Sequence, residues 1–126
     1  MQFSLTQRTP KQAVPVVHFE IGCRNKESTK QFYEDAFSWS INEHGPATLV
    51  SAAESGITGT ITALGHEPHN YVMVYIRVPD IEAYLERIQE LGGKTVVGPV
   101  PIPMGKFAWF SDPEGNMLGL LEPKKA

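Results

Sequence analysis

The fold is decided by residues 71–93, which read YVMVYIRVPDIEAYLERIQELGG. Residues 71–78 are rich in β-branched and aromatic side chains and stop at Pro79, so they predict a β-strand. Asp80 is a good helix N-cap. After it, apolar residues recur at helical spacing, at Ile81, Tyr84, Leu85, Ile88 and Leu91. Gly92 and Gly93 end the predicted helix, because glycine adopts the left-handed conformation there without strain.

Three more strands are predicted after this helix, at residues 94–97, 106–111 and 116–122. The last two are joined by the sequence DPEG at residues 112–115, whose proline and glycine positions suit a type I turn. Asp112 and Glu114 are therefore assigned to that turn and not to a catalytic pair of carboxylates. Residues 98–105 contain three prolines and are predicted to form a stiff loop that acts as a lid.

The same order of elements occurs earlier in the chain. Residues 14–21 alternate in character and predict a strand with one core face, and Asn25 or Ser28 caps the helix that follows. An apolar stripe on this helix consists of Phe32, Tyr33, Ala36 and Phe37. Strands are predicted next at residues 39–43, 48–52 and 58–63. The order β-α-β-β-β thus occurs twice, with a period of about 55 residues.

These elements predict a single α+β domain over residues 1–126. Repeat one covers about residues 14–66, repeat two about residues 70–123, and a polar, proline-broken arm covers residues 1–13. One unit alone has a single helix and a single sheet face, which is too little to be stable. Two βαβββ repeats are therefore expected to form a curved mixed sheet around a central cavity, where a small ligand binds.

Composition excludes several classes of protein. The hydrophobic share of 41% and the charged share of 20% are ordinary for a globular domain. The net charge is −3 and basic residues do not cluster, which argues against nucleic-acid binding. No apolar run approaches the roughly 20 residues of a membrane span, and no signal peptide is visible. Cys23 is the one cysteine, so no internal disulfide forms. A cytoplasmic protein is the expectation.

Three motifs resemble the glyoxalase/bleomycin-resistance/dioxygenase superfamily, also called the vicinal oxygen chelate superfamily. They are FYEDAFSW at residues 32–39, LGG at residues 91–93, and FAWFSDPEGNMLGL at residues 107–120. In this order and spacing, they look most similar to the branch of predicted glyoxalase-related enzymes. The resemblance covers nearly the whole chain after residue 14, and it implies a small-molecule ligand and a homodimer.

The resemblance also implies where a metal would bind. Metal-dependent members hold the ion with His or Glu at four positions, on the first and the last strand of each repeat. The matching positions here are His18, the stretch at residues 59–61, Met73 and Gly119. One nitrogen ligand does not hold a catalytic metal. A divalent metal is therefore disfavoured, no cofactor is predicted, and His18 is a metal ligand only if a metal is found.

Candidate site residues follow from strand alternation. His18 and Glu20 share one strand face and are the candidate catalytic residues, since histidine titrates near neutrality. Tyr75 and Arg77 occupy comparable places on the second repeat and are candidate ligand-binding residues. Against this, these polar side chains could simply pair with one another.

Aromatic residues complete the candidate site. Phe107 and Trp109 are predicted to give flat apolar walls for a ligand. Core packing is the other reading for these two residues and for Trp39 and Phe110.

Three readings of the function remain open, and the resemblance implies the first two. The first is a glyoxalase-related enzyme, a lyase, isomerase or dioxygenase acting on a small oxygenated metabolite. The second is a non-catalytic protein that sequesters a small molecule, as the bleomycin-resistance branch does. A third reading is a regulatory or interaction domain without a ligand.

Overall fold

A computed structural model describes residues 13–125, so the predicted N-terminal arm lies almost entirely outside the described residues. Along the chain, the elements are β1 (Val16–Gly22), α1 (Lys26–Phe37), β2 (Ile41–His44), β3 (Ala47–Val50), β4 (Thr58–Thr62), β5 (Tyr71–Arg77), α2 (Ile81–Glu90), β6 (Lys94–Ile102), β7 (Gly105–Ser111) and β8 (Met117–Pro123). The predicted α+β order of two βαβββ repeats is confirmed. Within residues 13–125, no helix is long and apolar enough to span a membrane.

The eight strands form one curved, unclosed sheet in the order β2-β3-β4-β1-β5-β8-β7-β6. In each repeat the first strand pairs in parallel with the last, β1 with β4 and β5 with β8. The repeats meet where β1 and β5 pair antiparallel, with His18 opposite Tyr75 and Glu20 opposite Met73. Superimposing the two repeats places the pair His18–Tyr75 on the pair Met73–Glu20. Strands β1 and β5 are therefore related by a local two-fold axis.

Helix α2 packs firmly on the second repeat. Asp80 caps it by accepting from the amide of Ala83 at 3.1 Å, as predicted. Its apolar stripe packs on the sheet in one buried cluster, made of Val78, Ile81, Leu85, Ala108, Phe110 and Leu120. The predicted stripe is therefore confirmed for Ile81, Tyr84, Leu85 and Ile88, whereas Leu91 caps the end of the helix and is 62% exposed.

Helix α1 packs less closely than predicted. Asn25 caps it as expected, accepting from the amide of Ser28 at 2.9 Å. However, α1 has no buried residue, and Phe32 and Phe37 are each 59% exposed. Tyr33 makes the main inward contact, stacking on Trp39 with 5.0 Å between ring centroids. Trp39 in turn contacts Phe19 on the sheet, so an aromatic residue beyond the helix fills the space that the stripe was expected to fill.

The lid predicted at residues 98–105 is wrong. Strand β6 continues to Ile102, and a short turn leads directly into β7. Pairing with β7 shifts register between Thr95 and Val97 and again between Val97 and Val100. These shifts, and the position of β6 at the edge of the sheet, accommodate Pro99 and Pro101, because an edge strand can spare amide donors.

The predicted turn between the last two strands is confirmed. Gly115 donates its amide to the carbonyl of Asp112 at 2.9 Å. The Asp112 carboxylate accepts from the amides of Glu114 and Asn116, both at 2.9 Å. These bonds hold the pKa of Asp112 below its usual value, with the Asn116 side chain the largest cause. Asp112 therefore has a structural role.

Candidate functional site

The two faces of the sheet differ in what covers them. The helices lie on the face that presents Phe19, Ile61, Phe110 and Leu120, which belong to the two core clusters. We call the opposite face the open face. By alternation it carries His18 and Glu20 on β1, and their neighbours at the same register on the adjacent strands. The predicted grouping of site residues on one face therefore follows from strand geometry.

One row of residues crosses the centre of the open face. His18 lies beside Thr58 on β4 and beside Tyr75 on β5. Tyr75 lies beside Gly119 on β8, and Gly119 beside Trp109 on β7. Five strands thus bring these residues together, although they are separated by up to 101 positions in the chain.

Position 119 requires glycine because of its neighbour in this row, Tyr75. A Cβ atom at this position would overlap the ring of Tyr75, which lies over the glycine. The same relationship occurs at Gly22, where a Cβ would overlap the ring of Tyr71. Both tyrosine rings therefore occupy the space beside glycines of adjacent strands.

Glu20 joins the two tyrosines. Its side chain lies on the open face, yet the residue is only 6% exposed. One carboxylate oxygen accepts from the Tyr75 hydroxyl at 2.5 Å, and the other accepts from the Tyr71 hydroxyl. Accepting with both oxygens is the pattern of an ionised carboxylate. Hydrogen bonds to a charged acceptor are the strong ones, so Glu20 fixes the position of both phenol rings.

The tyrosine hydroxyls stay protonated in this arrangement. Burial raises the pKa of both Tyr71 and Tyr75 far above the usual value, and the Glu20 carboxylate raises it further. The indole Nε1–H of Trp109 donates to the Tyr75 hydroxyl oxygen at 2.8 Å. The Tyr75 hydroxyl is therefore both donor and acceptor, and it links Glu20 to Trp109.

His18 lies at the edge of this network. Its Nδ1 is 2.6 Å from the hydroxyl of Thr58, and its Nε2 is 3.3 Å from the hydroxyl of Thr60. The imidazole meets the Tyr75 ring edge-on at 5.7 Å between centroids. Burial lowers the pKa of His18, and the nearby negative charge of Glu20 opposes this only in part. The imidazole is therefore neutral at neutral pH.

The second repeat supplies a wall of aromatic rings. The centroid of Phe107 lies 6.5 Å from that of Tyr75 and 6.4 Å from that of Trp109. Tyr71 meets Trp109 at 6.0 Å. Phe107 and Trp109 are half-buried on the open face and lie outside the two buried clusters. Trp39 and Phe110 instead pack in the clusters under the helices.

Arg77 is the one predicted site residue that lies outside the hydrogen bonds and ring contacts described above. It follows Tyr75 by two positions on β5 and shares its face, beyond the row of His18 and Tyr75. It is exposed, and within residues 13–125 its guanidinium has no hydrogen bond or ion pair.

Sequence reasoning missed three contributors to the site, Tyr71, Thr58 and Thr60. Each of the three belongs to a set of identical residues that recur at even spacing along a strand. Threonines occupy alternate positions 58, 60 and 62 of one strand, and tyrosines stand at positions 71 and 75, so each set shares a face. What the pattern lacked was the register that places these residues beside His18 and Glu20.

The residues at the four implied metal positions do not fit a divalent ion. Pairing across β1–β4 and β5–β8 makes Thr60 and Gly119 equivalent in the two repeats, alongside His18 and Met73. Together they offer one imidazole, one hydroxyl and one thioether, whereas borderline metals need several nitrogen, thiolate or carboxylate donors. The Tyr75 ring also fills the space that a ligand side chain at position 119 would use.

A cluster of three acidic residues away from the open face has a structural role. Oxygens of Asp80, Glu82 and Glu122 lie within 4.8 Å of one another. Lys106 Nζ lies 2.9 Å from Glu82 and 3.9 Å from Glu122, and Glu122 also accepts from the amide of Ile81 at 2.9 Å. The cluster therefore joins β7 and β8 to the start of α2.

A surface depression of about 700 Å³ lies away from the open face, between α2 and β6. It contains none of the predicted site residues, and its lining includes Glu82, Glu86, Gln89, Thr95 and Pro99. We place the candidate site on the open face because the buried carboxylate, the fixed tyrosines and the neutral imidazole converge there.

Comparison with known proteins agrees with this fold. Residues 16–120 match the family model described as Glyoxalase/Bleomycin resistance protein/Dioxygenase superfamily. A glyoxylase-like domain-containing protein from Didymella fabae is 27% identical over 111 residues, which cover 77% of this chain and 84% of that protein.

Two solved structures are similar at low identity. A hypothetical protein from Bacillus halodurans has a TM-score of 0.69 at 18% identity, covering 91% of this chain and 98% of that one. Methylmalonyl-CoA epimerase from Mycobacterium tuberculosis has a TM-score of 0.68 at 14% identity, covering 94% and 96%. At these identities, the likeness is one of fold.

Proposed function

Since the chain belongs to the Glyoxalase/Bleomycin resistance protein/Dioxygenase superfamily, we propose that it binds a small molecule on its open face without a metal. The observation that supports this most directly is the buried Glu20 carboxylate, which holds the hydroxyls of Tyr71 and Tyr75. Rings fixed in advance lose little freedom when a ligand packs on them.

The chemistry of the open face suits a ligand with a flat apolar part and polar edges. Phe107 and Trp109 present partly exposed rings, and His18 and Thr58 present polar groups on the other side of Tyr75. Small-molecule sites combine apolar walls with a few placed polar groups in this way. A donor set that does not fit a divalent ion favours binding by these side chains alone.

The two tryptophans provide the test. Trp109 lies on the open face and Trp39 on the helix-covered face, so their indole N–H signals in a ¹H–¹⁵N correlation spectrum report on the two faces separately. Trp39→Phe assigns the signals. A library of small oxygenated and aromatic compounds is first screened by thermal shift in the presence of EDTA.

We expect compounds that raise the melting temperature to move the Trp109 signal and leave the Trp39 signal in place. A stabilising compound that moves only the Trp39 signal, or binding that disappears in EDTA, contradicts the proposal. A library without any Trp109 response contradicts it as well.

A second candidate function is acid–base catalysis by His18, as in a lyase or isomerase. It is favoured by one observation, the neutral imidazole whose Nε2 has only a 3.3 Å contact to Thr60. A neutral imidazole can accept a proton from a bound ligand. The test is hydrogen exchange at an acidic C–H of the bound ligand in D₂O. Exchange that His18→Gln abolishes without changing ligand affinity supports this function. Ligand affinity without exchange or turnover supports sequestration.

Two expectations from the sequence remain predictions. The homodimer implied by the resemblance requires twice the chain mass of 13.9 kDa in solution, which light scattering measures. The cytoplasmic location, with a reduced Cys23, is checked by fractionation and thiol labelling.

A further inference from the structure

We propose that the ligand of the open face is a planar aromatic carboxylate, with its ring against Phe107 and Trp109 and its carboxylate at Arg77. The inference rests on the proposed function and names the class of ligand. It follows from three features of the open face: where Arg77 stands relative to the aromatic wall, how the charges are distributed, and what the guanidinium contacts.

Arg77 and the aromatic wall belong to the same part of the sheet. Arg77 pairs with Leu121 on β8, and Leu121 pairs with Phe107 on β7. Arg77 and Phe107 therefore occupy one row and are two strands apart, roughly 10 Å between backbones. A long arginine side chain and one aromatic ring span such a distance. A ligand that stacks on Phe107 thus has its edge within reach of the guanidinium.

The charges of the open face are separated along β5. Glu20 pairs with Met73, which lies four positions before Arg77, so the carboxylate and the arginine are about 13 Å apart along the strand. The row of His18 and Tyr75 lies between them. Both oxygens of Glu20 already accept from tyrosine hydroxyls. An anionic ligand group is therefore repelled at the Glu20 end and attracted at the Arg77 end.

The guanidinium of Arg77 has donors to offer. Within residues 13–125 no acidic side chain pairs with it, whereas Arg24 pairs with Glu67 at 3.7 Å and Arg87 with Glu90 at 3.2 Å. Guanidinium presents its N–H groups in a planar fork that matches a carboxylate in two hydrogen bonds. A carboxylate in the plane of an aromatic ring can meet that fork while the ring lies on the wall.

The test uses matched pairs of an acid and its carboxamide, which differ in charge and little in shape. Benzoate, 4-hydroxybenzoate, 1-naphthoate and indole-3-carboxylate are titrated into the full chain by calorimetry at pH 7.5, each beside its amide. The Trp109 indole signal confirms the site of binding. Arg77→Gln removes the charge, and Arg87→Gln is the matched control on the surface of α2.

We expect at least one acid to bind at the Trp109 site about tenfold or more tightly than its amide, the effect of a hydrogen-bonded charge. Arg77→Gln should reduce that preference to within about twofold, and Arg87→Gln should leave it unchanged. Equal affinities of acid and amide, or a preference that survives Arg77→Gln, overturn the ligand class and leave the proposed function standing. Failure of every acid and amide to move the Trp109 signal overturns the ligand class; the proposed function then falls only if the wider library also fails.

Discussion

The ring of Tyr75 lies over Gly119 of the neighbouring strand, in the space that a side chain at position 119 would occupy. This one relationship joins the fold to the site. It lets the phenol reach both Glu20 and Trp109, and the glycine that it requires offers no donor at one of the four positions where the resemblance implies a metal ligand.

Gly119→Ala should destabilise the protein by about 1–3 kcal/mol, because the added methyl overlaps the Tyr75 ring and forces it to move. Urea unfolding measures the free energy of unfolding. In a Tyr75→Ala background the same substitution should cost much less, since the ring is absent. An equal cost in both backgrounds would show that the clash is not with Tyr75.

Tyr75→Phe should also destabilise the protein by roughly 1–3 kcal/mol, because it leaves a Glu20 oxygen and the Trp109 indole N–H without their partner. Tyr84→Phe is the matched control. Tyr84 is half-buried on α2, and its hydroxyl makes no hydrogen bond within residues 13–125. Similar unfolding free energies for the two variants would contradict the role of the Tyr75 hydroxyl.

Stability should depend on the protonation of His18. Burial holds the pKa of the folded protein's His18 below the ordinary value of 6.5, so protonation costs the folded state more than the unfolded state. The His18 contribution is therefore present above pH 6.5 and is lost as the pH falls from there through the lower pKa of the folded state.

The measurement compares unfolding free energies at pH 7.5 and pH 5.5 for the wild type and His18→Gln. The wild type should lose more stability than the variant on acidification, because only the wild type has the His18 imidazole to protonate. An identical loss in both would remove His18 from this explanation.

Metal content should not depend on His18. With one imidazole, a threonine, a methionine and a glycine at the four implied positions, the purified protein should contain far less than one Ni, Zn, Fe or Mn ion per chain. Elemental analysis of wild type and His18→Ala checks this. Stoichiometric metal in the wild type that is lost in the variant would refute metal-independent binding.

The order of elements could be predicted because hydrophobic periodicity and capping residues are local. Asp80 and the stripe on α2 from Ile81 to Ile88 agree with the structure for that reason. The stripe on α1 was misjudged because Trp39, outside the helix, packs between Tyr33 and Phe19. Most of the supposed lid, residues 98–102, belongs to an edge strand, and the place of a strand in a sheet depends on tertiary contacts that the local sequence does not show.

The site could be predicted in part. Strand alternation was enough to group His18 with Glu20 and Phe107 with Trp109. Alternation does not give the register between strands, so the bonds from Tyr71 and Tyr75 to Glu20 could not be foreseen. The contact between Tyr75 and Gly119 joins residues 44 positions apart and was out of reach for the same reason.

The most direct test of metal-independent binding on the open face is a crystal structure of the protein with a ligand found by the thermal-shift screen. We predict the ligand against Phe107 and Trp109, with Glu20 still accepting from Tyr71 and Tyr75. A ligand held by an ion on His18, or bound in the depression between α2 and β6, would contradict it.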